Sequence, residues 1–295
     1  MSFDRYVVVD WSARSAPATG ADSIWIADLA GGEVELANPP TRRRAADRLH
    51  EILDSSADDR VLLGFDASLG YPSGTAALLG LRGTPWHSTW QLIAGLSTDD
   101  ERNRNNRFAV AAELNRRSGQ ASGPFWGCPP SQVGCHLAAT KPSRLELAEF
   151  RSTERVLRQA GLRPASCWQL LGAGSVGGQT LTLLPLLTEM LRRRRGSFQI
   201  WPFTTGLGVP RIEAGSVAVA EIWPTLFPVD HGGTVVKDAA QVRDTALALR
   251  SLDASGELAT WFTPRLPGIE ADQVVAEEGW VLGAGVVGVR RSTSG

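Results

Sequence analysis

Two stretches of this chain follow one pattern: a short apolar run that stops on an aspartate. Tyr6-Val7-Val8-Val9-Asp10 and Val61-Leu62-Leu63-Gly64-Phe65-Asp66 both read as buried strands with a carboxylate at the C-terminal end. Strands that are apolar throughout need cover on both faces, so the pattern points to an α/β sheet with helices on either side. Between them, residues 23–29 read as a second strand, Gly31-Gly32 as a turn and residues 33–37 as an alternating third strand. Pro39-Pro40 interrupts the chain. Residues 41–53 then show helical spacing through Ala45, Leu49, Ile52 and Leu53, with Thr41 as the N-cap. This β-β-β-α-β order predicts a mixed sheet: an antiparallel meander whose fourth strand lies beside the first.

From residue 67 to about 164 the composition changes. Gly70-Tyr71-Pro72, a polar stretch at 99–107 and Gly123-Pro124-Phe125-Trp126-Gly127 break the pattern, and helical spacing recurs at 89–96, 107–116 and 143–160. A structureless loop of this length is uncommon in a compact domain. Residues 70–160 are therefore expected to form a large helical insertion lobe within a single 1–295 domain. Beyond it, 166–171 reads as a strand and 180–195 as a helix ended by Gly196. Residues 198–203 and 216–223 read as strands, 236–252 as a helix and 257–262 as a short helix. The 216–223 run again sets an acid, Glu221, near its end.

Sites in α/β sheets form outside the carboxyl ends of neighbouring strands. Asp10, Asp66 and Glu221 meet there if their strands are adjacent, and crowded carboxylates raise one another's pKa unless a cation shares them. Mg2+ or Mn2+, hard ions with oxygen ligands, are the expected cofactors, with all three acids as metal ligands and catalytic groups. Two such ions activate a water and steady the leaving oxygen in phosphodiester hydrolysis. The alternative for each acid is the cap of a turn or helix.

Gly172-Ala173-Gly174-Ser175-Val176-Gly177 matches the G-x-G-x-x-G pattern. The acid that a dinucleotide-binding unit places about 20 residues further on is missing, and Arg192-Arg193-Arg194-Arg195 stands in that region. Gly174, Ser175 and Gly177 are candidates for holding a substrate phosphate on free N–H groups; a tight turn with close packing is the alternative. Arg107, beside Asn105 and Asn106, and Arg151, spaced i, i+4 from Arg155, are candidates for gripping substrate phosphates. Solvated, locally paired faces are the alternative for both. Trp11 and Trp126 are candidates for stacking on a base. Cys128, Cys135 and His136 do not follow a zinc spacing, and His50, His87 and His231 stand alone.

The formal net charge of −1 leaves no global basic field, so any nucleic-acid contact rests on local patches. Three cysteines are a sparse, odd set that argues against a disulfide framework. No apolar run approaches the ~18 residues that span a bilayer, and no signal region precedes the first strand. A cytoplasmic protein without a membrane partner is expected. The sequence leaves its oligomeric state open.

Several stretches together resemble one family. They are Val7-Val8-Val9-Asp10-Trp11-Ser12-Ala13, Gly64-Phe65-Asp66, Asn105-Asn106-Arg107-Phe108, Gly123-Pro124-Phe125-Trp126-Gly127, Trp168-Gln169-Leu170 with Gly174-Ser175-Val176-Gly177, Ala220-Glu221-Ile222-Trp223-Pro224 and Glu277-Glu278-Gly279-Trp280. Over nearly the whole chain they resemble the family known as domain of unknown function 429. Its members are regarded as having a ribonuclease-H-like fold and are called predicted nucleases.

The resemblance implies a ribonuclease-H-like mixed β-sheet flanked by helices. It implies metal-binding acids on the first and fourth strands, here Asp10 and Asp66, and an acid on a later strand, here Glu221. It also implies a last acid near the start of a C-terminal helix, for which Asp244, Asp272, Glu277 and Glu278 are the candidates. The function expected is metal-dependent phosphodiester hydrolysis with nucleic acid as partner. The alternatives are an enzyme acting on a small phosphorylated or nucleotide-like metabolite, and a binding protein without catalysis.

Overall fold

The computed structural model describes residues 3–119, 123–172, 174–194, 196–227, 236–266 and 268–286. Arg5–Asp10 (β1), Trp25–Ala30 (β2) and Glu33–Ala37 (β3) form an antiparallel meander. The helix Arg42–Asp54 (α1) carries the chain back, so that Val61–Asp66 (β4) runs parallel to β1. Thr41 starts α1 by accepting the Arg44 N–H, as its N-cap position requires. Phe198–Ile200 (β5) and Val217–Glu221 (β6) complete one six-stranded mixed sheet of order β3-β2-β1-β4-β6-β5. The chain is thus α/β, with the fourth strand beside the first.

Eight further α-helices are found among the described residues: Thr75–Leu78 (α2), Pro85–Leu96 (α3), Arg107–Arg117 (α4), Ser152–Gln159 (α5), Gly177–Arg193 (α6), Lys237–Ala254 (α7), Leu258–Trp261 (α8) and Gly268–Gln273 (α9). The central strands are covered on both faces, and their side chains alternate between two cores. Val7, Val9, Trp11, Leu63, Phe65 and Val219 pack on one face against α1, α3, α4 and α6. Tyr6, Val8, Leu62, Ala218, Ala220 and Ile222 pack on the other against α7, α8 and Trp280.

Residues 70–160 hold α2 to α5, yet Trp86, Trp90, Ile93, Val110, Leu114 and Phe125 enter the same core as the first sheet face. The segment therefore covers the sheet with its own apolar side chains. Of the helix expected at 143–160, only α5 forms. It begins at Ser152 because the Glu154 carboxylate reaches back to the Arg151 N–H, 2.9 Å away, in a capping box. The strand expected at 166–171 reduces to one bridge between Gln169 and Trp126. The strand expected at 198–203 stops at Ile200, where the backbone turns. No helix among the described residues is long and apolar enough to cross a membrane.

Candidate active site

Asp10 and Asp66 are direct partners in the parallel β1–β4 register, so their Cα atoms lie one strand spacing apart, about 4.8 Å. Both follow the alternation of Tyr6, Val8 and Leu62 and point to the face covered by α7. Both are partly exposed where the strands end. Among the described residues neither carboxylate has a hydrogen-bond or ion-pair partner. Burial, followed by the charges of Asp66, Asp238 and Asp22, holds the Asp10 carboxyl well above the ordinary range. Burial, followed by Glu221 and Asp238, pushes Asp66 up to about 7. Desolvated acids that repel one another and lack a cation are the condition under which a carboxyl keeps its proton.

Glu221 does not join them. Its register partner on β4 is Phe65, one residue before Asp66, so the pleat turns its side chain to the opposite face. There it is buried and paired with Arg151, at 2.6 Å from Oε1 to Nη2 and 2.8 Å from Oε2 to Nη1, and it accepts the Leu69 N–H at 3.0 Å. Arg151 is fully buried as well. Its remaining donors go to Glu154, to the Glu278 carbonyl and to Ser68. Burial works against the Arg151 charge, but Glu154 and Glu221 outweigh it and hold its pKa well above the usual value. Among the described residues no group of three or more His, Cys, Asp or Glu side chains is arranged to hold a metal ion. The expected three-acid ligand set is thus replaced by a pair and a separately compensated glutamate.

No family model, curated protein or solved structure matches this chain.

The sequence reasoning missed Asp238. It lies in the first turn of α7, where its carboxylate accepts the Asp22 N–H at 2.7 Å and adds to the negative field at Asp10 and Asp66. None of the four acids expected for this place sits in that position. Glu277 accepts the Gly74 and Ala76 N–H groups, and Glu278 those of Ser73 and Ser152, so both fasten backbone. Asp244 pairs with Arg243, at 2.7 Å, further along α7, and Asp272 lies on α9.

The glycine loop comes closer to the acids than its sequence distance suggests. Gly174, Ser175 and Val176 line a cavity of about 190 Å3 together with Asp66, Ser68, Glu221 and Trp223. Val176 stands at the N-cap of α6, a 17-residue helix whose first N–H groups have no intrahelical partner. Gly177 has a packing reason: a Cβ there would lie 2.5 Å from the Cys167 carbonyl oxygen and 2.7 Å from that of Gln169. Ala173 lies outside the described residues.

The remaining expectations fall away from the pair. Arg151 is an internal ion-pair partner, so it presents no donor to a substrate. Trp11 is buried and its indole N–H donates to Thr182 at 3.2 Å; Trp126 is also buried. Neither stands at the acid pair to stack on a base, and Trp11 lines a second, larger cavity on the other face of the sheet. Arg107 lines the same cavity, bounded by α1 and α6. Cys128 is buried and Cys135 exposed, both as free thiols.

Proposed function

We infer that the chain is a metal-dependent hydrolase of phosphate esters with a ribonuclease-H-like sheet, working at the Asp10–Asp66 pair. The observation that carries this reading is the pair itself: two carboxylates in register, raised in pKa, with no donor or cation among the described residues to balance them. The strand order supports it too, since an antiparallel meander followed by parallel strands on the far side of β1 is the order of ribonuclease-H-like sheets.

The donor set fits Mg2+ or Mn2+. Such ions take oxygen ligands, and Mg2+ is commonly held by one or two carboxylates, with waters and substrate phosphate completing its shell. Asp10 and Asp66 would hold the ion, and Asp238 would add negative field from α7. When bound, the ion supplies Lewis acidity at phosphorus and an ionised water at neutral pH. The Gly177 N–H already donates to the Gln169 carbonyl, so the Gln179 N–H, in the first turn of α6 and lining the cavity that Asp66 shares, would orient a phosphate oxygen. Glu221, paired with Arg151, would shape that cavity.

The cavity favours the small-metabolite reading over a polynucleotide. Its volume is about 190 Å3 and no Arg or Lys lines it among the described residues. A polynucleotide backbone calls for a row of cations, whereas a single phosphate on a helix N-terminus does not. The test is calorimetric titration of Mn2+ into the protein and into Asp66→Asn, with hydrolysis of bis-p-nitrophenyl phosphate followed in parallel. Binding and Mn2+-dependent turnover lost together in the variant are expected. Turnover that persists in Asp66→Asn, or no Mn2+ binding to the unaltered chain, rejects the reading.

A further inference from the structure

A cavity of about 500 Å3 opens between α1, the 97–106 loop and α6, on the sheet face opposite to Asp10 and Asp66. This volume lies within the roughly 300–1,000 Å3 that small-molecule sites occupy. Trp11, Ala46, Leu181, Pro185 and Leu186 give it apolar walls.

Its charges balance in pairs, with one exception. Arg42 is held by Asp99, Arg43 by Asp47 at 3.6 Å, and Asp100 by Arg104 at 2.6 Å. Glu189 is held by Arg193 and by His50, the latter at 3.4 Å. Arg107 alone has no carboxylate partner among the described residues lining the cavity. Its Nη1 donates to Ser15 at 2.8 Å and to Asn105 at 2.9 Å, and its plane lies over the Phe108 ring at 4.3 Å. Its Nε is buried with no acceptor, and its Nη2 donates to nothing among the described residues. Burial, followed by the Arg42 charge, pulls the Arg107 pKa down to about 10 against the weaker opposing charge of Asp99, so the guanidinium stays charged at neutral pH with no carboxylate in contact. Ser15, Asn105 and Phe108 fix its orientation, Nε is packed close to Gly178, and Nη2 is the donor left over for an oxyanion.

We propose that this cavity binds a small organic molecule with a single oxyanion, carboxylate or phosphate monoester, on an apolar body, with Arg107 gripping the oxyanion and the α6 wall taking the body. One unmet positive charge calls for one negative group, and the paired charges around it exclude a polyanion such as a nucleic-acid backbone. The inference is independent of the hydrolase reading, because it uses neither Asp10 nor Asp66.

The probes are 2-naphthoate, 2-naphthyl phosphate and uncharged 2-naphthol, titrated calorimetrically in EDTA, where no divalent ion can bridge to the acid pair. One or both oxyanions are expected to bind, and whichever binds more tightly names the head group. 2-Naphthol is expected to bind at least about tenfold more weakly, the scale of one charge-assisted hydrogen bond. Arg107→Met keeps the aliphatic stem over Phe108 and should weaken the oxyanion by about the same factor. Ala46→Phe fills the cavity from α1 and should abolish binding without touching Arg107, and thermal melts of both variants establish that they fold. Asp66→Asn should bind like the unaltered chain. Absence of oxyanion binding, equal binding of 2-naphthol, or indifference of the affinity to Arg107→Met and Ala46→Phe overturns the proposal. Loss of binding in Asp66→Asn overturns it as well, by moving the ligand to the acid pair.

Discussion

The carboxylates at the ends of β4 and β6 stand on neighbouring strands of one sheet, and the chain treats them in opposite ways. Glu221 is buried with a bidentate arginine and a backbone N–H, and Glu154 closes the arrangement around Arg151. Asp66 is nearly as enclosed but meets another aspartate instead of an arginine. A buried charge that finds its counter-ion inside the protein is satisfied there, and unpairing it is costly. A buried acid that meets a like charge keeps its proton unless a cation from outside completes it. The offset of a single residue between Phe65–Glu221 and Asp66 separates the two outcomes, because it places them on opposite faces of the pleat.

The largest effect expected tests the compensated side. Arg151→Met leaves Glu154 and Glu221 buried without their cation and should destabilise the chain by about 3–5 kcal/mol, read from urea unfolding. The uncompensated side should respond in the other direction. Asp66 keeps its proton in the folded chain up to about pH 7 but releases it near 3.8 when unfolded. Between those values the folded state holds the extra proton, so in EDTA stability should fall as pH rises from about 4 towards 7. Asp66→Asn should flatten that slope and raise the melting temperature at neutral pH. A variant less stable than the original at pH 7 in EDTA would break the contrast between the two sides.

The sheet was legible because each of its signals is local. Valine-rich runs, Gly31-Gly32, Pro39-Pro40 and the Thr41 cap fix β1 to β4 one after another, and the meander leaves β4 a place beside β1. Asp10 and Asp66 were legible for the same reason, since each ends its own run. Glu221 was not. Its run is apolar on both faces, so the sequence carries no alternation from which to read the side of an acid within it. Arg151 was misread because it and Arg155 have helical spacing. Arg151 lies just before α5, and its partner Glu221 is 70 residues away. Asp238 was passed over because an acid in a first helical turn is ordinary. Only the position of α7 against β1 and β2 gives it a role.

The glycine loop gives a sharper test within the same site. A methyl at Gly177 meets two backbone carbonyls, and neither can withdraw without moving the turn. Gly177→Ala should cost about 1–3 kcal/mol, as overpacking does. At Gly174 the φ of +69° is the only objection to a side chain, because nothing lies within 4 Å of the added Cβ. Gly174→Ala should therefore cost only the left-handed backbone penalty, about 1 kcal/mol, at the low end of the Gly177→Ala range. Equal costs at the two positions would mean that the loop is not packed against Cys167 and Gln169.

The smallest expected effect decides whether Asp238 belongs to the pair. Asp238→Asn keeps a side-chain oxygen able to accept the Asp22 N–H, so the start of α7 should stay in place. What the substitution removes is one negative charge facing Asp10 and Asp66. The Asp66 pKa should then fall from about 7, but only part of the way, because burial and Glu221 both act on it more strongly than Asp238 does. Asp10 should fall too, while Asp66 continues to raise it. Carboxyl-carbon NMR titration in EDTA reads both shifts directly. Unmoved titrations would leave Asp238 as a cap for the 22–23 turn. A drop at both aspartates would make α7 the third wall of the acidic site, and the same variant should then bind Mn2+ a few-fold more weakly while melting, in EDTA at neutral pH, slightly higher than the original.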